Sequence, residues 1–271
     1  MLTTKKFQHI TQIKLGRKIF GKIPYFSYAF LVDDLLVDTG PPVCKEEILN
    51  FCQNSKITKA VNTHHHEDHI GGNKILQKKC GVKIYATALT AKIISRPMPI
   101  QLYRRAVWKN PEICVAKILD DYIKTCSGHI LKVIPTPGHC DDHACFFEEN
   151  EGWLFTGDAF LHPKIMVLRE DEDFYQILDS IKKMKELNPS FIFCSLNGRL
   201  SKACDHLNRK IEFMEMLVSE THKLNKQGLS PRKIRLELLG KENSMYYVTL
   251  GHFSKQNLIN SILSRSVRTL V

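Results

Sequence analysis

Residues 23–32, Ile-Pro-Tyr-Phe-Ser-Tyr-Ala-Phe-Leu-Val, form an apolar run of strand length, and after Asp33-Asp34 a second run, Leu35-Leu36-Val37, follows at once. Two such runs around a pair of turn-forming residues predict a hairpin whose second strand leads into Asp38-Thr39-Gly40. Pro41-Pro42 then opens a helix through 44–52, because proline is tolerated in a first helical turn. The pattern goes on alternating: a strand at 59–63, a histidine-rich loop, a helix at 71–80, a strand at 82–85 and a helix at 87–94. Residues 95–109, broken by Pro97 and Pro99, predict an irregular excursion. Strands are expected at 129–135, 144–148 and 153–156, a helix at 174–187 that stops before Pro189, and a buried strand at 191–195. From 201 the period turns helical. Ile211, Met214, Leu217 and Val218 recur at steps of three and four, predicting an amphipathic helix over 201–227 that covers the core. Further helices are expected from Ser230 and from Phe253, with Gly228 and Ser230-Pro231 as stop and restart. The reading is an α/β body over 1–200 followed by an all-helical region, 201–271.

The chain has 271 residues, 43% hydrophobic and 25% charged, which excludes wholesale disorder and allows one large domain or two modest ones. No apolar run approaches the ~18 residues of a membrane span, and the first residues lack the apolar stretch of a secretory signal. A cytoplasmic protein without a membrane partner is expected. The nine cysteines, odd in number and without a CxxC pair, fit reduced thiols. The formal charge is +11, and residues 201–271 contribute 12 basic against 6 acidic side chains. Such a surface can draw nucleic acid, anionic lipid or acidic small molecules, but no stretch interleaves arginine with aromatics in a nucleic-acid motif.

The chemistry concentrates in Asn62-Thr63-His64-His65-His66-Glu67-Asp68-His69-Ile70-Gly71-Gly72. Four potential metal ligands, His64, His66, Asp68 and His69, lie within six residues, and imidazole with carboxylate suits zinc, iron or manganese. The alternative is a polar loop that binds metal adventitiously. Against it, further ligands follow two apolar runs downstream, each after a glycine: His139 in Thr136-Pro137-Gly138-His139 and Asp158 in Phe155-Thr156-Gly157-Asp158. No GxSxG elbow or P-loop competes, and Cys140 reads as a neutral neighbour of His139.

These motifs resemble those of the metallo-β-lactamase fold superfamily. HxHxDH matches His64, His66, Asp68 and His69; the later histidine and aspartate motifs match His139 and Asp158; and Asp38 matches an Asp-Thr-Gly turn that supports the site. The resemblance covers about 7–200. The segment 251–258, Gly-His-Phe-Ser-Lys-Gln-Asn-Leu, is similar to the small helical C-terminal unit of lactamase-like hydrolases related to a mitochondrial endoribonuclease.

The resemblance implies a four-layer αββα sandwich with metals at one edge of the two sheets, followed by a helical region packed on the core. It implies one or two zinc ions, with iron or manganese as alternatives. His64, His66 and His139 would hold the first metal, Asp68 and His69 the second, and Asp158 would bridge them. One position departs: Asn197, in Cys194-Ser195-Leu196-Asn197-Gly198, stands where the family's last histidine is expected. A neutral carboxamide is a poor ligand, so the second metal is expected to bind more weakly. His162, His206 and His143 are the imidazoles that could substitute. The implied activity is hydrolysis of a small ester, thioester, lactone or amide by a metal-activated hydroxide, with Asp68 also orienting the water or handling its proton. Two other classes stay open: a single-strand-specific endoribonuclease with RNA as its partner, and a binding or regulatory module with a degenerate site.

Overall fold

The computed structural model describes residues 1–19 and 22–268. They divide into two compact units. The first comprises residues 1–135, 142–161 and 189–202, and the second 136–141, 162–188 and the chain from 203 onward.

The first unit opens with an antiparallel meander, β1 (Leu2–Phe7), β2 (Ile10–Ile19), β3 (Lys22–Val32) and β4 (Leu35–Val37). The Asp pair makes the β3–β4 turn as expected, with Val32 facing Leu35 and Asp33 at φ 54°. A short 3-10 turn at Pro42–Cys44 leads into α1 (Lys45–Gln53), followed by β5 (Lys59–Val61), α2 (Glu67–Ile70), α3 (Asn73–Cys80), β6 (Lys83–Ala86) and α4 (Ala88–Ile94). The excursion at 95–109 is not wholly irregular: α5 (Leu102–Trp108) forms once the prolines are passed, although it buries none of its residues. With β7 (Lys117–Ile118) the first sheet is complete in the order β1 to β7, and β4 to β7 run parallel.

The second sheet collects β8 (Tyr122–Lys124), β9 (Ile130–Pro135), β10 (Ala144–Glu148) and β11 (Trp153–Gly157). After an excursion through the second unit, β13 (Phe191–Cys194) and β14 (Gly198–Ser201) join it, β13 parallel to β11.

The end of the apolar run in β3, residues 29–32, is covered on both faces of the strand. Ala29 and Leu31 pack with Ile48, Cys52 and Leu76 of α1 and α3, while Phe30 and Val32 face the second sheet. There Phe30 meets Phe155 and Phe193 at ring-centroid separations of 5.7 and 5.5 Å. Each such ring, fully buried, contributes ~1.5–3 kcal/mol. The parallel strands β4 and β5 release the chain at Asp38 and Asn62, and β11 and β13 release it at Asp158 and Ser195.

In the second unit, β12 (Leu168–Arg169) precedes α6 (Phe174–Glu186), whose N-cap Asp173 accepts from the backbone of Tyr175 and Gln176. The tail forms α7 (Ala203–Lys226), α8 (Pro231–Leu239), α9 (Ser244–Val248), β15 (Phe253–Ser254) and α10 (Lys255–Arg268). Of the expected stripe on α7, Ile211, Met214 and Leu217 are buried and Val218 is half-buried; Leu207 is buried as well, and the helix packs against α6, α8 and α10. The tail is not entirely helical, because Phe253 and Ser254 pair with Arg169 and Leu168. No helix of the described residues is long and apolar enough to cross a membrane.

Candidate metal centre

Asp38, at the end of β4, organises the histidine loop. Its backbone lies in the left-handed region at φ 60°, which aspartate tolerates better than most residues. Its Oδ1 accepts from Thr63 N at 2.8 Å, and its Oδ2 accepts from Thr63 Oγ1 at 2.9 Å and from His69 Nδ1 at 2.7 Å. The chain around His69 is pinned as well: its carbonyl accepts from Thr39 N at 2.7 Å and from Thr39 Oγ1 at 3.2 Å.

With Nδ1 engaged, the ring presents Nε2, which is buried without a hydrogen-bond partner. Asp158 Oδ1 lies 3.2 Å from it and Asp68 Oδ2 3.7 Å. One turn earlier, His64 Nε2 and His66 Nδ1 face each other at 2.8 Å. His64, His66 and Asp158 offer ligand atoms within 4.8 Å of one another, and so do Asp68, His69 and Asp158. The first unit therefore brings together five of the six residues that the sequence singles out.

Burial acts to lower the pKa of His69, but the carboxylates of Asp38, Asp158 and Asp68 overcome it and raise the pKa well above 6.5. Burial pushes the carboxyl of Asp68 up to about 6, opposed by the charge of His69 and reinforced by Asp158 and Glu67. A buried imidazole nitrogen between two carboxylates, beside two further imidazoles, is a donor set that fits a divalent cation.

Asp158 reaches its place through Gly157, at φ 47°, where an added Cβ would stand 2.7 Å from Thr63 Oγ1 and 2.9 Å from His143 Nε2. His143 accepts from the backbone nitrogen of Asp158 at 3.3 Å. The end of β13 contributes Ser195, whose hydroxyl donates to Asp158 Oδ1. Asn197 is exposed in the β13–β14 turn, and its Nδ2 donates to the carbonyl of Leu161 at 2.5 Å. Of the substitute imidazoles, His143 stands beside Asp158, whereas His162 is exposed and belongs, with His206, to the second unit.

The remaining candidate, His139, also belongs to the second unit. It is 7% exposed, and its Nδ1 lies 2.6 Å from Glu172 Oε1. Burial acts to raise the pKa of Glu172, but the hydrogen bond and charge of His139, with Arg169, hold it below the usual range.

Several side chains outside the expected ligand set shape the loop. Glu67 is completely buried and takes a two-pronged bond from Arg104, whose Nε stands 2.8 Å from Oε1. Asp142 accepts from His65 N at 3.0 Å and from Thr90 Oγ1 at 2.7 Å. The clue for Glu67 was in the motif itself, an acid between two ligand positions.

Residues 23–195 match the family model described as the metallo-beta-lactamase superfamily. The chain is 30% identical over 189 residues to the beta-lactamase-like protein 2 homolog of Caenorhabditis elegans, covering 66% of this chain and 57% of that one. It is 32% identical over 165 residues to a hydroxyacylglutathione hydrolase of Francisella philomiragia, covering 60% and 55%. The chain thus spans a little over half the length of these two relatives. A solved metallo-beta-lactamase family protein from Thermus thermophilus superposes with a TM-score of 0.66 at 17% identity, covering 96% of this chain and 94% of that one. That likeness shows a shared fold.

Proposed function

The chain belongs to the metallo-beta-lactamase superfamily, and from that premise we propose that it is a metal-dependent hydrolase of small acyl compounds, with thioesters foremost among esters, lactones and amides. The observation that carries the reading is His69, whose Nδ1 is anchored by Asp38 while Nε2 is buried between Asp68 and Asp158. The choice of thioester draws on the hydroxyacylglutathione hydrolase among the relatives.

In this proposal His64, His66 and His139 would hold a first divalent metal and Asp68 and His69 a second, with Asp158 available to both. His139 enters by its place in the ordered family motif. Zinc suits this set best, with iron and manganese as alternatives. When bound, such a metal would lower the pKa of water from 15.7 towards ~7 and would supply a Lewis acid for a carbonyl oxygen. The protein's own groups do the positioning. Asp38 fixes the ring of His69, Ser195 holds one oxygen of Asp158, and the carboxylate of Asp68 orients the attacking water.

The test is hydrolysis of a panel of S-acyl glutathiones, p-nitrophenyl esters, acyl-homoserine lactones and a single-stranded RNA oligonucleotide by the metal-loaded protein. Thioester turnover that disappears in His66→Ala supports the reading. Cleavage of RNA alone, or no turnover by fully loaded protein, overturns it.

A further inference from the structure

His139 is held by a frame that lies wholly in the second unit. Its ring Nδ1 lies 2.6 Å from Glu172 Oε1, and the other oxygen of Glu172 accepts from the backbone nitrogen of Arg169 at 2.8 Å. Arg169 is 3% exposed and closes a loop, because its Nη2 donates to the carbonyl of His139 at 2.6 Å. The neighbouring carbonyls are taken too. Gly138 O accepts from Asp173 N at 2.9 Å and Pro137 O from Ser180 Oγ at 2.7 Å.

Arg169 is itself placed by the C-terminal region. It pairs with Phe253 in the β12–β15 ladder, and Glu170 N donates to His252 O at 3.0 Å. Asn257 Nδ2 lies within hydrogen-bonding distance of three carbonyls: Leu168 O at 3.3 Å, Gly251 O at 3.1 Å and His252 O at 3.0 Å. Side chain, backbone and tail thus converge on one imidazole.

We propose that Glu172 is a positioning residue for metal binding: it fixes His139 as the Nδ1–H tautomer and so presents Nε2 as the ligand atom. The β12–β15 ladder then makes the C-terminal region part of the frame that holds His139. The inference rests on the reading of His139 as a metal ligand. A ligating histidine whose second nitrogen is held by a carboxylate keeps its ring oriented and its basicity high, and losing such a partner costs ~10–100-fold in metal affinity.

The experiment measures zinc affinity by competition with a chromophoric chelator for the full-length wild type, Glu172→Ala, Glu172→Gln and His139→Ala. It is joined by long-range nitrogen NMR of the His139 ring in the metal-free wild type and in both Glu172 variants. Glu172→Ala is expected to bind zinc ~10–100-fold more weakly and to lose the single Nδ1–H tautomer. Glu172→Gln keeps an acceptor oxygen and should recover most of both. Wild-type affinity and an unchanged tautomer in Glu172→Ala overturn the proposal while leaving the site reading intact, provided that His139→Ala weakens binding. Unchanged zinc affinity in His139→Ala overturns the site reading itself. If the alanine variant does not fold, the wild-type spectrum decides: Nδ1–H supports the proposal and Nε2–H overturns it.

Discussion

Replacing Asp38 by asparagine isolates one bond while leaving the shape of the loop alone. Asparagine has nearly the same volume and tolerates the left-handed backbone at this position, so neither a cavity nor new strain is added. Its remaining oxygen can still accept from Thr63 N, as Oδ1 does at 2.8 Å. Its amide nitrogen, however, is a donor where Oδ2 accepts from Thr63 Oγ1 and His69 Nδ1 at 2.9 and 2.7 Å. The hydroxyl can rotate and accept; the imidazole keeps its bond only by moving its proton to Nε2. Losing the charge-assisted bond costs ~1.5–3 kcal/mol. At ~2–4 °C per kcal/mol for a chain of this size, the metal-free variant should melt roughly 3–12 °C below wild type. Moving the proton to Nε2 also occupies the nitrogen that faces Asp68 and Asp158, so affinity for a metal held by His69 should fall ~10–100-fold. Circular dichroism melts of chelator-treated protein and a zinc titration read the two effects separately. A variant that melts with the wild type and binds zinc equally well would refute the role given to Asp38.

Arg104→Ala leaves the fully buried Glu67 without its partner and should destabilise the fold by ~3–5 kcal/mol in urea unfolding, with Glu67→Gln/Arg104→Met recovering much of the loss. Equal stability of the single and double variants would count against the pair. Raised pKa values at Asp68 and His69 mean that the folded metal-free chain holds protons the unfolded chain releases. The stability from Asp68 is complete below 3.8 and lost as pH rises through about 6, and that from His69 is complete below 6.5 and lost at higher pH. Melting temperatures of metal-free protein should therefore fall as pH rises from about 4 through 6 and continue to fall above 6.5, and zinc should reverse the fall; a flat profile contradicts the electrostatics of the cluster. Asn197→His should raise the tightly bound metal from about one to about two per chain, by supplying an imidazole where a carboxamide now stands. Two tight metals in the wild type would show that the site is complete without it.

The hairpin at Asp33-Asp34 and the strand at 144–148 were legible because each is a short apolar run bounded by turn residues. The ligand loop was legible because His64, His66, Asp68 and His69 fall within six consecutive residues. What supports these residues was not. Glu67 meets Arg104 across 37 residues, His139 meets Glu172 across 33, and His65 meets Asp142 across 77, and no periodicity links such partners. Nothing in the sequence marks α5, because Pro97 and Pro99 precede it and no buried stripe runs along it. β12 and β15 have two residues each, too few to show alternation, although their pairing ties the tail to the frame of His139. Sequence position alone does not show that Ser195, at the end of β13, reaches Asp158, or that Asn197 bonds the carbonyl of Leu161.

Metal content tests the central claim most directly. Protein purified without chelators, analysed by plasma mass spectrometry beside His66→Ala, should carry at least one tightly bound zinc, iron or manganese per chain, and the variant should carry markedly less. Wild-type protein that retains no transition metal after dialysis against zinc, or a His66→Ala variant with a full complement, contradicts the account.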